Sequence, residues 1–447
     1  MHSAGSRSQQ AVVWAWGLAL LGLPLQRGAA LQLGGVSLAA AELSALPLLA
    51  LGAWRALGGA RPRLTALDCG VAAWGLAVGL ASVVSMLRLG GLDPLVAHDA
   101  AATFFLGALY ASIRLTADAA SLRLFPTLLL WGAVAAALLG LLGVACALLG
   151  IPNPLVLAME YPYAGRVVRA QALCATPSML ASVLTTALVL TPAERRLRGR
   201  RRRLSVAVLL AGLAATLSKA LVCLAGAGIV LLAARQRPRG SRAAVAGILA
   251  LTAFYVAGSH FVMAPLGPRV VALESETLIS REPLLELRGP LEGYGVFATS
   301  YFHNKLVSLR AVGESFPWGI GPGRQPALAA ELQQAGEHPP LLSPQGPHGT
   351  LTGVAAEHGL VGLVGLGLLL WSLVLAWRAL GGKDPLRWPL LALLTAVAME
   401  SLATDQMHFR HYVWVLAVLS SSIEGEAGAA PSRAAHDGHT RGATRGQ

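Results

Sequence analysis

Twelve apolar stretches recur along this chain, at about 11–26, 36–57, 64–87, 97–114, 124–150, 172–192, 204–217, 220–234, 243–263, 358–378, 388–404 and 411–423. Most approach the roughly 20 residues that carry an α-helix across a bilayer. Inside lipid, backbone N–H and C=O groups must be satisfied within the segment itself, which favours helices over open strands. Water offers no alternative solvent, because charged residues make up 13% of the 447 and hydrophobic ones 55%. Soluble domains carry about 25% charge. The expected fold is an all-α polytopic membrane protein with about 12 transmembrane helices. The seventh and eighth stretches are short and read as a tight hairpin or a re-entrant pair.

Lysine and arginine outnumber aspartate and glutamate 35 to 22, for a net charge of +13. Such a balance raises nucleic-acid binding as a class, but the placement of the charges excludes it. With the N-terminus in the cytoplasm, about two thirds of the basic residues fall on the cytoplasmic side. The dense runs at 195–203 and 235–242 are among them. That charge meets the anionic inner leaflet, so membrane lipids are expected partners and nucleic acid is not. Both termini are expected in the cytoplasm. Arg27-Gly28-Ala29-Ala30 follows the first stretch as in a signal peptide; the stretch is read as a retained helix.

One connection is long, about 264–347, and carries six basic and eight acidic residues. Loops of this length are usually functional or disordered. This one contains helix signals. Over 297–316, Phe302, Leu306, Leu309 and Phe316 share one face, while His303, Arg310 and Glu314 share another. Pro317 ends that helix; Pro326 starts a second, which Gly336 stops. The chain thus divides into helices one to nine (1–263), the large loop (264–357), helices ten to twelve (358–423) and a disordered tail (424–447). The four cysteines, Cys69, Cys146, Cys174 and Cys223, have no metal or disulfide spacing and read as small buried hydrophobes.

The segment PHGTLTGVAAEHGLVG at 347–362 sets His348 nine residues before Glu357, then opens an apolar helix with Gly359-Leu360. In this it resembles the O-antigen ligase and polysaccharide polymerase family. Four other places are similar, in the family's order. They are Arg169 with Pro177-Ser178 and Ala181, TLSKA at 216–220, FPWGIGPG at 316–323, and Asp405 followed by FRHYVW at 409–414. The sequence departs from the pattern at Gly349, Ala172, Ser178 and Lys219, the last standing where arginine is usual. Phe302 occupies the place of a second family arginine, and Lys305 and Arg310 are the nearest cations.

The resemblance implies a metal-independent, inverting membrane glycosyltransferase without a cofactor. Its donor would be a glycan on undecaprenyl diphosphate, and its acceptor a glycan or lipid A–core, at the periplasmic face of a bacterial inner membrane. The rival class is a transporter or a lipid-linked glycan flippase, which tends to hold ionisable groups mid-membrane and to pair broken helices.

A glycosyl diphosphate needs cations on its leaving group and help for the acceptor hydroxyl. His348 is the candidate base. The helix expected from about Thr350 to Arg378 is about 40 Å long against about 30 Å of hydrocarbon, so His348 stands at headgroup depth. A helix N-terminus there disfavours imidazolium. Arg169 is the candidate first diphosphate clamp, with Arg166 beside it; a snorkelling interfacial arginine is the simpler reading of each. Lys305 and Arg310 compete for the second clamp, though Arg310 and Glu314 also fit an i,i+4 ion pair. Gly319, Gly321 and Gly323 form a turn whose N–H groups could approach an anion. Glu357 reads as a packing or hinge residue. Glu400, Asp405, His408 and Arg410 read as a structural polar network.

Overall fold

The computed structural model describes residues 2–26, 31–33, 36–161, 165–194, 198–235, 241–266, 280, 282–339, 346–380, 384–405 and 409–429. The chain is mostly helical. In order come α1 (His2–Gly22), the hairpin β1 (Leu31–Leu33) and β2 (Val36–Leu38), α2 (Ala40–Leu57), α3 (Ala66–Arg88), α4 (Pro94–Thr116) and α5 (Ala119–Leu148). A second hairpin, β3 (Val156–Tyr161) and β4 (Gly165–Ala170), precedes α6 (Pro177–Leu190), α7 (Gly199–Ala215), α8 (Ala220–Arg235) and α9 (Ser241–His260). The long connection holds β5 (Phe261–Pro265), β6 (Leu285–Glu286), β7 (Tyr294–Ala298), α10 (Ser300–Ser315) and α11 (Gln325–Gln334). The bundle closes with α12 (Thr350–Ala379), α13 (Arg387–Glu400) and α14 (Arg410–Ala429).

Each of the twelve apolar stretches contains most of a helix, though 36–57 begins in β2 and 243–263 runs into β5. The expected count of about 12 spans is not met. Among the described residues, six helices are long and apolar enough to cross a membrane: α2, α3, α4, α5, α9 and α12. The others fall short for physical reasons. Helices α6 and α13 have 14 residues each, about 21 Å at 1.5 Å per residue. Helix α7 opens on Arg200–Arg203, and α14 contains Glu424 and Glu426. Three small antiparallel sheets also correct the all-α expectation. The tail is helical to Ala429, six residues into the segment expected to be disordered; 430–447 lie outside the described residues. Helix α12 starts at Thr350, so the loop ends before 357. Cys174 and Cys223 are buried as expected, whereas Cys69 is exposed.

Local sequence sets the helix starts. Thr65 and Asp68 form a capping box on α3, Asp118 and Ser121 one on α5, and Asp93 and Thr176 cap α4 and α6 just ahead of a proline. Helices α3 and α12 pack antiparallel. A Cβ on Gly70 would overlap Ser372 and one on Gly365 would overlap Ala77, so small residues bring these two backbones together. Alternating helix directions gather residues 149–161, 165–176, 216–219, 261–266, 282–339, 346–349 and 401–405 at one end, the loop end. The opposite end carries the described arginines Arg61, Arg63, Arg198 and Arg200–Arg203. There the buried Arg114 pairs with Asp68 at 2.9 Å and Glu424 at 3.0 Å, tying α14 to α3 and α4.

Helix α12 breaks at Gly359, whose φ of 62° and ψ of −150° are not helical. The turn after α10 fills the break. Ile320 N–H donates to Ala356 O (2.9 Å), Gly321 N–H to Glu357 O (3.0 Å), and Leu360 N–H to Pro317 O (2.7 Å). A Cβ on Gly319 would overlap Glu357 O, and one on Gly359 would overlap Pro317 O. Backbone in the Gly359 conformation costs a non-glycine residue about 1–3 kcal/mol before any overlap. Gly359→Val is therefore expected to lower the thermal midpoint clearly, as followed by circular dichroism in micelles. Gly367→Ala, with no heavy atom within 4 Å of the new Cβ, is expected to leave it unchanged or raise it.

Candidate functional site

Strand alternation in β4 sends Val167 and Arg169 to one face and Arg166 to the other. The first pair faces a cavity of about 300 Å³ at the loop end. Helix α7 ends at Ala215, and Leu217 takes a φ of +48°, so the chain reverses tightly into α8. Arg169 Nε donates to Thr216 O at 3.0 Å and fastens this turn to β4. The turn delivers Lys219 to the same cavity, with Leu217 half-exposed at its mouth. Tyr255 from α9, Tyr301 from α10 and Glu400 from α13 complete the wall.

Lys219 is the least comfortable group in this arrangement. Its Nζ is buried without a hydrogen-bond partner among the described residues. It lies 4.8 Å from the centroid of the Tyr301 ring, a cation–π contact. Burial, reinforced by the charge of Arg169, pulls its pKa down to about 8. Two cations thus share one cavity, and Glu400 is the one acidic residue among those lining it. The Arg169–Thr216 bond uses one of the five guanidinium N–H groups.

His348 does not line the cavity. Its ring stands 4.2 Å from that of Tyr301, at 33°, so Tyr301 links it to Lys219. Burial, with the charges of His260, Lys219 and Lys305, holds the imidazole down at about 4 and therefore neutral at pH 7. Its position is fixed from behind: Thr350 N–H donates to Ser401 O at 2.8 Å and Thr350 Oγ1 to Thr404 O at 3.2 Å. The expectation that His348 precedes a helix N-terminus therefore matches the geometry.

The other sequence candidates fare differently. Arg166 is exposed, on the face of β4 away from the cavity. Lys305 Nζ donates to Leu402 O at 2.6 Å, where a cation satisfies a carbonyl at the C-terminal end of α13. It stands near His348 but does not line the cavity. Arg310 is exposed and paired with Glu314 at 2.7 Å and with Glu337. This is the ion-pair reading and removes Arg310 from the clamp. Exposed pairs contribute little, so Arg310→Ala is expected to leave thermal midpoint and activity unchanged in parallel unfolding and turnover assays.

The glycine turn offers no anion cradle, because its N–H groups at 320 and 321 are taken by α12 carbonyls. Glu357 Oε1 accepts from Gln325 N–H at 3.0 Å, so it holds the start of α11, in keeping with a packing role. The expected network at 400–410 is divided. Glu400 faces the cavity, Asp405 lines a narrow cleft with Asp99 and Glu357, and Arg410 pairs with Glu42. His408 lies outside the described residues. Among the described residues, no group of three or more His, Cys, Asp or Glu is arranged to hold a metal ion.

The sequence marked Lys219 only as a departure from a motif and Glu400 only as part of a structural network, and Tyr301 was missed. The available signal for Lys219 was a lone cation between two short apolar stretches, which in a membrane protein is a functional candidate by default. Comparison of the chain with protein-family models and with curated proteins finds no match.

Proposed function

We propose that this chain is an integral-membrane glycosyltransferase. It would move a glycan from undecaprenyl diphosphate to an acceptor hydroxyl at the outer face of a bacterial inner membrane, as O-antigen ligases and polysaccharide polymerases do. The observation that carries this reading is the cation pair Arg169 and Lys219 facing one loop-end cavity beside His348. Like charges held together in a desolvated place are costly alone and favourable once an anion enters. A diphosphate supplies that anion, with oxygens suited to a guanidinium fork and an ammonium. The described arginines at the opposite end, Arg61, Arg63, Arg198 and Arg200–Arg203, support a cytoplasmic placement of that end, which turns the cavity outward.

The chemistry follows from these groups. The acceptor oxygen attacks the anomeric carbon as the bond from that carbon to the diphosphate oxygen breaks, with inversion. The electron pair leaves on the diphosphate, where Arg169 and Lys219 stabilise the added charge. The hydroxyl proton would reach the neutral imidazole of His348 by way of Tyr301, which lines the cavity and packs on that ring.

One observation favours a second reading. The break in α12 at Gly359 is a feature shared with transporters, whose sites lie at discontinuous helices. Here the break is filled by the 317–321 turn rather than left facing a cavity, which favours transfer. Deleting the gene in its native host and weighing the undecaprenyl-diphosphate-linked glycans separates the cases. Accumulated long polymer identifies a ligase to lipid A–core, and accumulated single repeat units a polymerase. An unchanged pool argues against transfer and for transport.

A further inference from the structure

Helix α10 presents three kinds of surface. Asn304, Val307, Ser308 and Ala311 are buried, Val307 against Ala329 and Leu332 of α11. Arg310 and Glu314 form a charged edge open to water. Leu306 and Leu309, opposite the buried face, are exposed, Leu309 by 53%. The stripe begins at Phe302, whose ring meets that of Phe261 at 5.4 Å. It continues past the helix into Phe316 and Trp318, the latter 51% exposed. The sequence had marked this row as an apolar face, and the fold leaves it outward.

Both ends of α10 are fixed to the ends of membrane-length helices. At its start, Thr299 N–H donates to the carbonyl of His260, the last residue of the membrane-length α9 (2.9 Å). At its end, Arg88, the last residue of α3, donates to Gly319 O at 2.9 Å. Helix α3 has 23 residues, about 35 Å against about 30 Å of hydrocarbon, so its end marks the interface. The stripe is also continuous with a lipid-facing one. Leu360, Val364 and Leu368 are exposed at every fourth residue of α12, and Leu360 N–H is the group bonded to Pro317 O.

We infer that α10 and the turn through Trp318 are seated in the bilayer interface at the loop end, with Leu306, Leu309, Phe316 and Trp318 in lipid. A charged edge beside an open apolar face is the pattern of an interfacial helix, and tryptophan favours that depth. Exposed apolar patches of this kind otherwise call for a partner, and the continuity with α12 makes lipid that partner. Because α10 also carries Tyr301, the ring that meets both Lys219 and His348, lipid seating would hold the cavity at headgroup depth. This inference does not depend on glycosyl transfer.

The test uses the full chain in phosphatidylethanolamine–phosphatidylglycerol vesicles. Cys69 and Cys146 are replaced by alanine, and the buried Cys174 and Cys223 are kept. Leu306→Cys, Leu309→Cys, Trp318→Cys and Glu314→Cys each receive a nitroxide. Collision with oxygen, which concentrates in lipid, is compared with collision with a water-soluble nickel chelate. The expected result is oxygen-dominated relaxation at 306, 309 and 318 and nickel-dominated relaxation at 314. Nickel dominance at 306 and 309 overturns the inference, even with Trp318 in lipid, because the helix then projects into water. Exclusion of both reagents at those sites also overturns it, since protein, such as a second copy, then covers the face.

Discussion

Lys219→Met is expected to cut glycan transfer by about 10²–10³-fold, the effect of removing one group that stabilises a developing oxyanion, while raising the thermal midpoint. The two changes have one cause. The ammonium is buried without a hydrogen-bond partner among the described residues and lies near a second cation. Folding alone gains from its removal, whereas an anionic leaving group loses its counter-charge. A stability–function trade of this kind is expected at a binding site. Lys219→Arg restores activity, because a fork meets phosphate oxygens at least as well as a point charge. The pH dependence carries a sign. Lys219 is charged below about 8 and neutral above, so kcat/KM for the donor falls as pH rises through about 8. In Lys219→Arg that alkaline limb moves to higher pH. Unchanged turnover in Lys219→Met would remove the cation pair from the account.

His348→Ala is expected to lower the rate by about 10²–10⁴-fold, the usual contribution of a positioned general base. His348 stacks on the cavity wall and does not line the cavity, so the loss should fall in kcat with donor KM little changed. The imidazole is neutral above about 4, and the acid limb of kcat/KM is expected near that value rather than near the ordinary 6.5. The native state also disfavours the protonated ring. Stability should therefore decline as pH falls from about 6.5 towards 4, and His348→Ala should flatten that part of the curve. Steady-state kinetics and thermal unfolding across pH read both effects.

The helices were legible because burial in lipid writes itself into sequence as uninterrupted hydropathy. Their lengths were less so. The apolar stretch at 172–192 shortens to Pro177–Leu190 because Thr176 caps the helix only there, and hydropathy cannot see a cap. The β-hairpins, set by pairing between residues such as Leu157 and Arg169, leave a weak local signal. At the site, Arg169 and His348 were legible, the first through a family-like motif and the second through its place before a long helix. Lys219 was visible only as a departure from a motif, since its burial depends on Tyr301, 82 residues away. The Arg310–Glu314 pair is local and readable at i,i+4, whereas the docking of Gly319 against Glu357 and Gly359 brings together a turn and a helix break with separate sequence signals.

The most direct test of the cation-lined cavity as a transfer site is turnover of a defined donor. Purified protein in lipid nanodiscs would receive a polyprenyl-diphosphate-linked oligosaccharide and a hydroxyl acceptor, with free polyprenyl diphosphate and glycosylated acceptor measured together by mass spectrometry. The wild type is expected to release both products equally, Lys219→Met and His348→Ala to lose release almost completely, and Arg310→Ala to match the wild type. Intact donor with no free carrier, or release that survives both cavity variants, would contradict transfer at this cavity.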